Sequence, residues 1–271
     1  MKVHFINIIL PFFIALFSLF IFSCSDDDLK IEPTAGLVKI TEGHALGAAA
    51  KVEVWASDDL FAGYNSIFFA LYDSVSGERI TDSHIHVKPV MNMQTMSHSC
   101  PVEEPESAAV NELFPGAIMF TMPSGDMGAW TLDISVHNHV NGLSGKAQFE
   151  IDVKNTNPSR VTSFLSPSGQ RYYLSYRFLE KLEVGVNVFE VIAYTFTDDE
   201  FVPAEDLAIS FTPEMPSMDH GSPNNENPTQ LSGGHYQGKV NFTMTGEWRL
   251  NLELVSGATT LGTKYFDVVV N

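Results

Sequence analysis

The chain has 271 residues, 44% of them hydrophobic, with 15 basic and 33 acidic residues for a formal charge of −18. That balance excludes nucleic acid as a natural partner, because backbone phosphates would be repelled. It also disfavours anionic lipid headgroups and favours cations, although acidity by itself speaks mostly to solubility.

Lys2 is followed by an almost unbroken apolar run from Phe5 to Phe22, which Pro11 interrupts without adding a charge. The run is nearly long enough to span a bilayer, but it closes on Ser23-Cys24 and the acidic Ser25-Asp26-Asp27-Asp28. A basic start, an apolar middle and a small residue at the cut mark a secretory signal. A cysteine directly after the cut resembles the bacterial lipoprotein pattern. That resemblance implies a signal peptide over residues 1–23 and lipidation of Cys24, with an uncleaved anchor as the alternative. The acidic residues after Cys24 resemble the signal that sends some Gram-negative lipoproteins to the outer face of the outer membrane; a solvated tether is the plainer reading. The expectation is an outer-membrane lipoprotein, periplasmic or surface-exposed, touching the membrane only through its lipid.

Without residues 1–23, 248 residues remain, with 14 basic and 33 acidic side chains and a formal charge of −19. Lipidation of Cys24 would leave Cys100 without a disulfide partner, so the fold must rest on apolar cores. Residues 24–45 read as an acidic tether. Beyond them the hydrophobic period is two, as in Lys51-Val52-Glu53-Val54-Trp55, Trp130 to Val136 and Trp248 to Leu254. Ile67 to Tyr72 and Phe189 to Phe196 are rich in aromatic and β-branched residues, which suit strands. Phe149 to Val153 and Tyr265 to Val270 read as closing strands, and Ser76-Gly77, Asn141-Gly142 and Ser256-Gly257 as turns. No helix of three turns is predicted.

The sequence repeats at an offset of 122 residues. Gly63, Asn65 and Tyr72 match Gly185, Asn187 and Tyr194, and Met93, Met96 and His98 match Met215, Met218 and His220. Phe120-Thr121-Met122 matches Phe242-Thr243-Met244, and no gap is needed to that point. Four extra residues in the first copy then precede Trp130, the counterpart of Trp248. Such a repeat is a duplicated module. The predicted fold class is all-β, two tandem immunoglobulin-like sandwiches at residues 46–155 and 169–271, joined by a linker at 156–168.

Apart from Met1, the nine methionines all lie within Met91–Met127 or Met215–Met244. The shared set is Met-x-x-Met-x-His and a methionine after Phe-Thr. Thioether sulfur is a neutral, polarisable donor that suits Cu(I), and imidazole is a good companion ligand. The candidate ligands are Met215, Met218, His220 and Met244, then Met93, Met96, His98 and Met122. Trp130 or Trp248 could shield a bound cation with a ring face. Packing is the competing role, since methionine fills core gaps, above all at Met122 and Met244.

Met215-Pro216-Ser217-Met218-Asp219-His220, then Gly234-His235-Tyr236 and Phe242-Thr243-Met244-Thr245-Gly246-Glu247-Trp248, resembles the YtkA-like family and the similar FixH-type domains. The resemblance covers most of residues 170–271. It implies a small extracytoplasmic β-sandwich associated with copper handling and copper-oxidase assembly. Residues 50–155 follow more loosely, with Gln94 in place of the proline and Phe114 in place of the tyrosine.

Cys100 is a further candidate ligand, though its repeat partner is Ser222. His84-x-His86 and His137-x-His139 each put two imidazoles on one strand face, a geometry that binds Zn or Cu or simply decorates a surface. His44 and His235 read as unremarkable, and Glu103-Glu104 and Asp198-Asp199-Glu200 as solvated turns. No Gly-x-Ser-x-Gly, phosphate loop or His-Glu-x-x-His is present, so no enzyme is expected. The functional expectation is a lipoprotein that binds Cu(I) for buffering or delivery. The alternative is a non-catalytic envelope module whose methionine loops touch a protein partner.

Overall fold

The computed structural model describes residues 32–271; the expected signal peptide and Cys24 lie outside the described residues. The first half forms β1 (Val38–Ala45), β2 (Ala50–Ala56), β3 (Gly63–Asp73), β4 (Arg79–Ile80) and β5 (Ser83–Asn92). It continues with β6 (Ser97–His98), β7 (Val102–Glu103), β8 (Phe114–Phe120), β9 (Ala129–Asn138) and β10 (Leu143–Ile151). The second half forms β11 (Val161–Leu165), β12 (Arg171–Phe178), β13 (Gly185–Thr197), β14 (Glu200–Pro203) and β15 (Leu207–Met215). A 3-10 turn, Pro216–Met218, precedes β16 (His220–Gly221), β17 (Glu226–Gln230), β18 (His235–Phe242), β19 (Gly246–Ser256) and β20 (Thr259–Val270). Among the described residues no helix is long and apolar enough to cross a membrane.

Each half folds into two sheets with the same connectivity. In the first, β1-β2-β3-β8-β7 faces β10-β9-β5-β6; in the second, β11-β12-β13-β18-β17 faces β16-β15-β19-β20. Taking β2 as strand A, one sheet has the order A-B-E-D and the other C′-C-F-G, which is the immunoglobulin arrangement. The alternating burial along β5 and β9 follows from the period-two sequence, because every second side chain points inward. Trp130 anchors the first core with Phe69, Phe114 and Phe120. Trp248 anchors the second with Phe189, Tyr236 and Phe242.

The structure explains why Asn65 and Asn187 recur. Asn65 accepts from Phe61 N and donates to the carbonyls of Phe61 and Gly63. Asn187 makes the same three bonds to Glu183 and Gly185. Each clamps the loop entering the long B strand.

Three expectations need correction. The tether does not run to residue 45: Val38–Ala45 is an edge strand on β2, tied by Lys39 Nζ to Glu53 Oε1 at 3.0 Å. The linker at 156–168 contains β11, an edge strand on β12. Both strands are largely exposed, so neither carries the hydrophobic alternation that would announce it. The ungapped repeat is also not the structural one throughout. Pro89 pairs with Leu132 and Pro213 with Leu250, so β5 and β15 superpose at an offset of 124 rather than 122. Two residues gained before β15 are lost again in the hairpin after it.

The two sandwiches pack on one another. Tyr64, Ala117 and Met119 of the first form a small cluster with Ile192 and Tyr194 of the second. Tyr64 N donates to Ser175 Oγ across the junction at 3.0 Å. Beside this cluster the His235 ring lies between two carboxylates, Glu103 Oε1 at 2.8 Å from Nε2 and Glu190 Oε2 at 3.2 Å from Nδ1. Tyr64 and Tyr194 hydroxyls also donate to Glu103, and the Arg177 guanidinium pairs with Glu190 at 2.6 Å. Glu103 and His235 are therefore neither a solvated turn nor an unremarkable histidine. Burial alone would lower the His235 pKa, but the hydrogen bonds and charges of Glu103 and Glu190 raise it to about 9. Burial works against the Glu190 carboxylate, yet His235 and Arg177 hold its pKa down at about 2.

These shifts fix the sign of the pH dependence. A histidine raised from 6.5 to about 9 contributes stability that is complete below 6.5 and is lost as pH rises through 9. Glu190, lowered from 4.5 to about 2, contributes stability present above 4.5 and lost as pH falls toward 2. The melting temperature should therefore fall between pH 6.5 and 9 in the wild type and stay flatter over that range in His235→Gln. Parallel melting curves for the two proteins would show that the cluster does not hold the charged imidazole.

Candidate metal centre

The candidate ligands sit where the C–C′ hairpin of each sandwich meets the strand turn that leads to the buried tryptophan. In the second sandwich β15 ends on Met215, which pairs with His220 of β16. Pro216 favours the tight 3-10 turn between them, and Asp219 closes it in the left-handed conformation, φ 49°. Met215 is only 3% exposed and belongs to the core, whereas Met218 on the turn is 60% exposed. The His220 ring lies 6.2 Å from the Trp248 ring, and its Nε2 is 3.2 Å from Thr243 Oγ1. Met244 is half-buried against the core, and its carbonyl accepts the Trp248 indole N–H at 3.1 Å. The structure thus gathers Met215, His220 and Met244 around Trp248 and leaves Met218 outermost.

Gly246 makes this packing possible. A Cβ at that position would lie 2.9 Å from the Met215 methyl, and its φ of +127° is one that side-chain-bearing residues avoid. Gly128, at φ +153°, is needed in the first sandwich chiefly because a Cβ there would collide with the Asn92 carbonyl, with the Met93 Cγ next at 3.3 Å.

In the first sandwich Met91 pairs with His98 and with Trp130 and is fully buried. Met91, not Met93, is therefore the structural counterpart of Met215. Met93 N donates to Met96 O at 3.0 Å to close the hairpin turn, and the Met93 side chain is half-buried on the core. Met96, 55% exposed, places its Sδ 3.1 Å from His98 Nε2. Met122 is half-buried, and its carbonyl accepts the Trp130 indole N–H at 3.0 Å. The Met-x-His pairs Met96/His98 and Met218/His220 are the accessible donors. Met91 and Met215 are buried in the two cores, and Met93, Met122 and Met244 are half-buried against them.

Cys100 is not a ligand in this arrangement. It is buried in the first core, and burial pushes its thiol pKa well up, which disfavours the thiolate that binds metals. Of the paired histidines, His86 sits against Glu104 at 2.7 Å, while His84, His137 and His139 come together on one face. Among the described residues no group of three or more His, Cys, Asp or Glu side chains is arranged to hold a metal ion.

Residues 175–253 match the YtkA-like family model. The match runs from within β12 to within β19 and takes in Met215, Met218, His220, Met244, Gly246 and Trp248; it does not reach the first sandwich. No curated protein matches the chain. Among solved structures, domains 5–6 of the S-layer protein SbsC align at 11% identity over 87% of this chain and 98% of that one, with a TM-score of 0.28. The Escherichia coli adhesin FdeC aligns at 12% identity over 85% of this chain and 65% of that one, TM-score 0.25. A conserved domain protein from Bacillus anthracis aligns at 8% identity over 90% and 94%, TM-score 0.29.

The role of Gly246 in the YtkA-like segment can be measured. Gly246→Ala should destabilise the second sandwich by more than about 1 kcal/mol in denaturant unfolding, because it combines a forbidden φ with a clash on Met215. Unchanged stability would mean that Met215 does not pack on this turn.

Proposed function

We propose that this protein is an outer-membrane lipoprotein, anchored through Cys24, whose two sandwiches bind a soft metal ion, Cu(I), for buffering or delivery rather than catalysis. The observation that carries the reading is the Met96 thioether lying 3.1 Å from the His98 imidazole at an exposed hairpin tip. One such soft–borderline donor pair suits Cu(I) better than Mg(II) or Ca(II), which prefer oxygen. The second sandwich carries the same Met-x-His on its own hairpin, with Met215 beneath it and Met244 beside it. The YtkA-like match covers that second set, and the family's association with copper handling agrees with it. The first sandwich differs in lacking the turn proline and in its longer hairpin, so its affinity should be the weaker.

One observation supports a non-catalytic reading. Glu103, Glu190 and His235 are paired with one another at the junction of the sandwiches rather than poised toward a substrate.

The test is a Cu(I) competition titration against a chromophoric chelator. The wild type should take up one or two equivalents. Met218→Leu/His220→Ala should remove the tighter one, and Met96→Leu/His98→Ala the weaker, each by at least tenfold in affinity. All four positions are exposed or half-exposed, so the variants should melt as the wild type does without metal. Cu(I) should raise the melting temperature and Mg(II) should not. If the wild type fails to compete with the chelator, the copper reading is wrong and the exposed thioethers are contacts for a protein partner.

A further inference from the structure

We infer a second, separate metal site for a divalent ion of the zinc or copper(II) class, built on His84 and His139 at the far end of the first sandwich. His84 stands in β5 directly across from His137 of β9, and His139 follows β9 by one residue. All three imidazoles emerge on the outer face of the β10-β9-β5-β6 sheet. His84 Nδ1 and His139 Nε2 are 3.0 Å apart, with ring centroids separated by 4.5 Å at 82°. The other nitrogen of His139, Nδ1, is 2.6 Å from Asp82 Oδ1.

The tautomers follow from these contacts. Nδ1–H of His139 donates to the Asp82 carboxylate, which leaves Nε2 with its lone pair free to accept from His84 Nδ1–H. A carboxylate fixing one imidazole nitrogen while the other faces a metal is the arrangement that orients histidine ligands and raises their basicity. Two nitrogens bound to one zinc at ~2.0–2.1 Å lie roughly 3 Å apart, as these two do. A divalent ion binding here takes the place of the proton between the rings; that proton moves to His84 Nε2, so both rings bind as neutral imidazoles.

The third imidazole, His137, has its centroid 5.2 Å from that of His139, and its Nδ1 is 2.8 Å from Ser144 Oγ. It is exposed, so a side-chain rotation brings it to an ion held by the other two, and water completes the shell. The bond to Ser144 explains why the three rings are not already convergent. A bound ion would clip the loop before β5, the β5–β9 pair and the turn after β9. Nothing equivalent exists in the second sandwich, where Ala208 and Val255 occupy the positions of His84 and His137. This site does not depend on the methionine reading, since zinc has little affinity for thioethers.

The experiment is a Zn(II) titration of the full chain against a chromophoric indicator at pH 7.5, with melting curves for each protein. The wild type should bind one Zn(II) and melt at a higher temperature when loaded. His84→Ala and His139→Ala should each weaken binding by at least tenfold, and Asp82→Asn by about tenfold as a residue acting through His139. Met96→Leu/Met218→Leu should bind Zn(II) as the wild type does. All the substituted side chains are exposed or half-exposed, so the metal-free melting temperatures should agree. No Zn(II) uptake by the wild type, or uptake undiminished in both histidine variants, overturns the site.

Discussion

The His235 imidazolium held between Glu103 and Glu190 is the constraint that makes two sandwiches into one body. An ion pair taken out of water stabilises only when its hydrogen-bonding capacity is saturated, because desolvation otherwise exceeds the attraction. Here the saturation is nearly complete: Glu103 accepts from two tyrosines as well as His235, and Glu190 accepts from Arg177, Gln237 and His235. The apolar contact of Tyr64, Ala117 and Met119 with Ile192 and Tyr194 is small, and would by itself leave the modules free to pivot. The charged cluster adds direction to it. The same elements lead outward to the methionine hairpins, since Glu103 closes the segment that begins at His98 and His235 opens the strand that ends two residues before Met244. Fixing the junction therefore fixes the spacing between the hairpins.

Much of the fold was legible because it rests on local signals. The central strands show period two, the turns carry Gly77, Gly142 and Gly257 at left-handed φ, and both copies present the same tryptophan and Asn-clamped loop. The edge strands β1 and β11 were not legible, because an edge strand buries little and its pairing comes from the neighbour's backbone. The junction escaped for a different reason. Arg177, Glu190 and His235 mean nothing singly. They do have a trace in the repeat: Arg177 stands where the first copy has Trp55, Glu190 where it has Phe68, and His235 where it has Leu113. Charged residues that break a duplicated pattern at several strand positions mark a surface the two copies do not share.

The methionine cluster shows what a repeat can and cannot say about a site. Composition and clustering pointed to the C–C′ hairpins, and Met96, His98, Met218 and His220 do fall at equivalent hairpin tips. The one-to-one matching of Met93 with Met215 failed because sequence identity ignores register. Strand pairing equates residues that face the same neighbours, and there Met91 and Met215 each lie opposite the hairpin histidine. Six residues separate that pair in the first sandwich and four in the second, so the extra length of the first hairpin carries Met93 and Gln94. A longer hairpin closes on its tip less tightly than the proline-led turn after Met215, and loses more entropy when a ligand orders it.

The two donor sets of the first sandwich also separate by chemistry and by place. His84 lies near the start of β5 and Met91 near its end, about 24 Å apart at the ~3.4 Å rise of an antiparallel strand. The thioether–imidazole pair suits a soft monovalent ion, and the carboxylate-oriented imidazoles suit a harder divalent one. One strand thus carries at opposite ends two environments that would not compete for the same metal. Neither end crosses the junction held by His235. Differences in occupancy would therefore be read locally, as stiffening of one hairpin or one strand pair, while the relative placement of the two sandwiches stays set by the contacts of Glu103 with His235 and Tyr194.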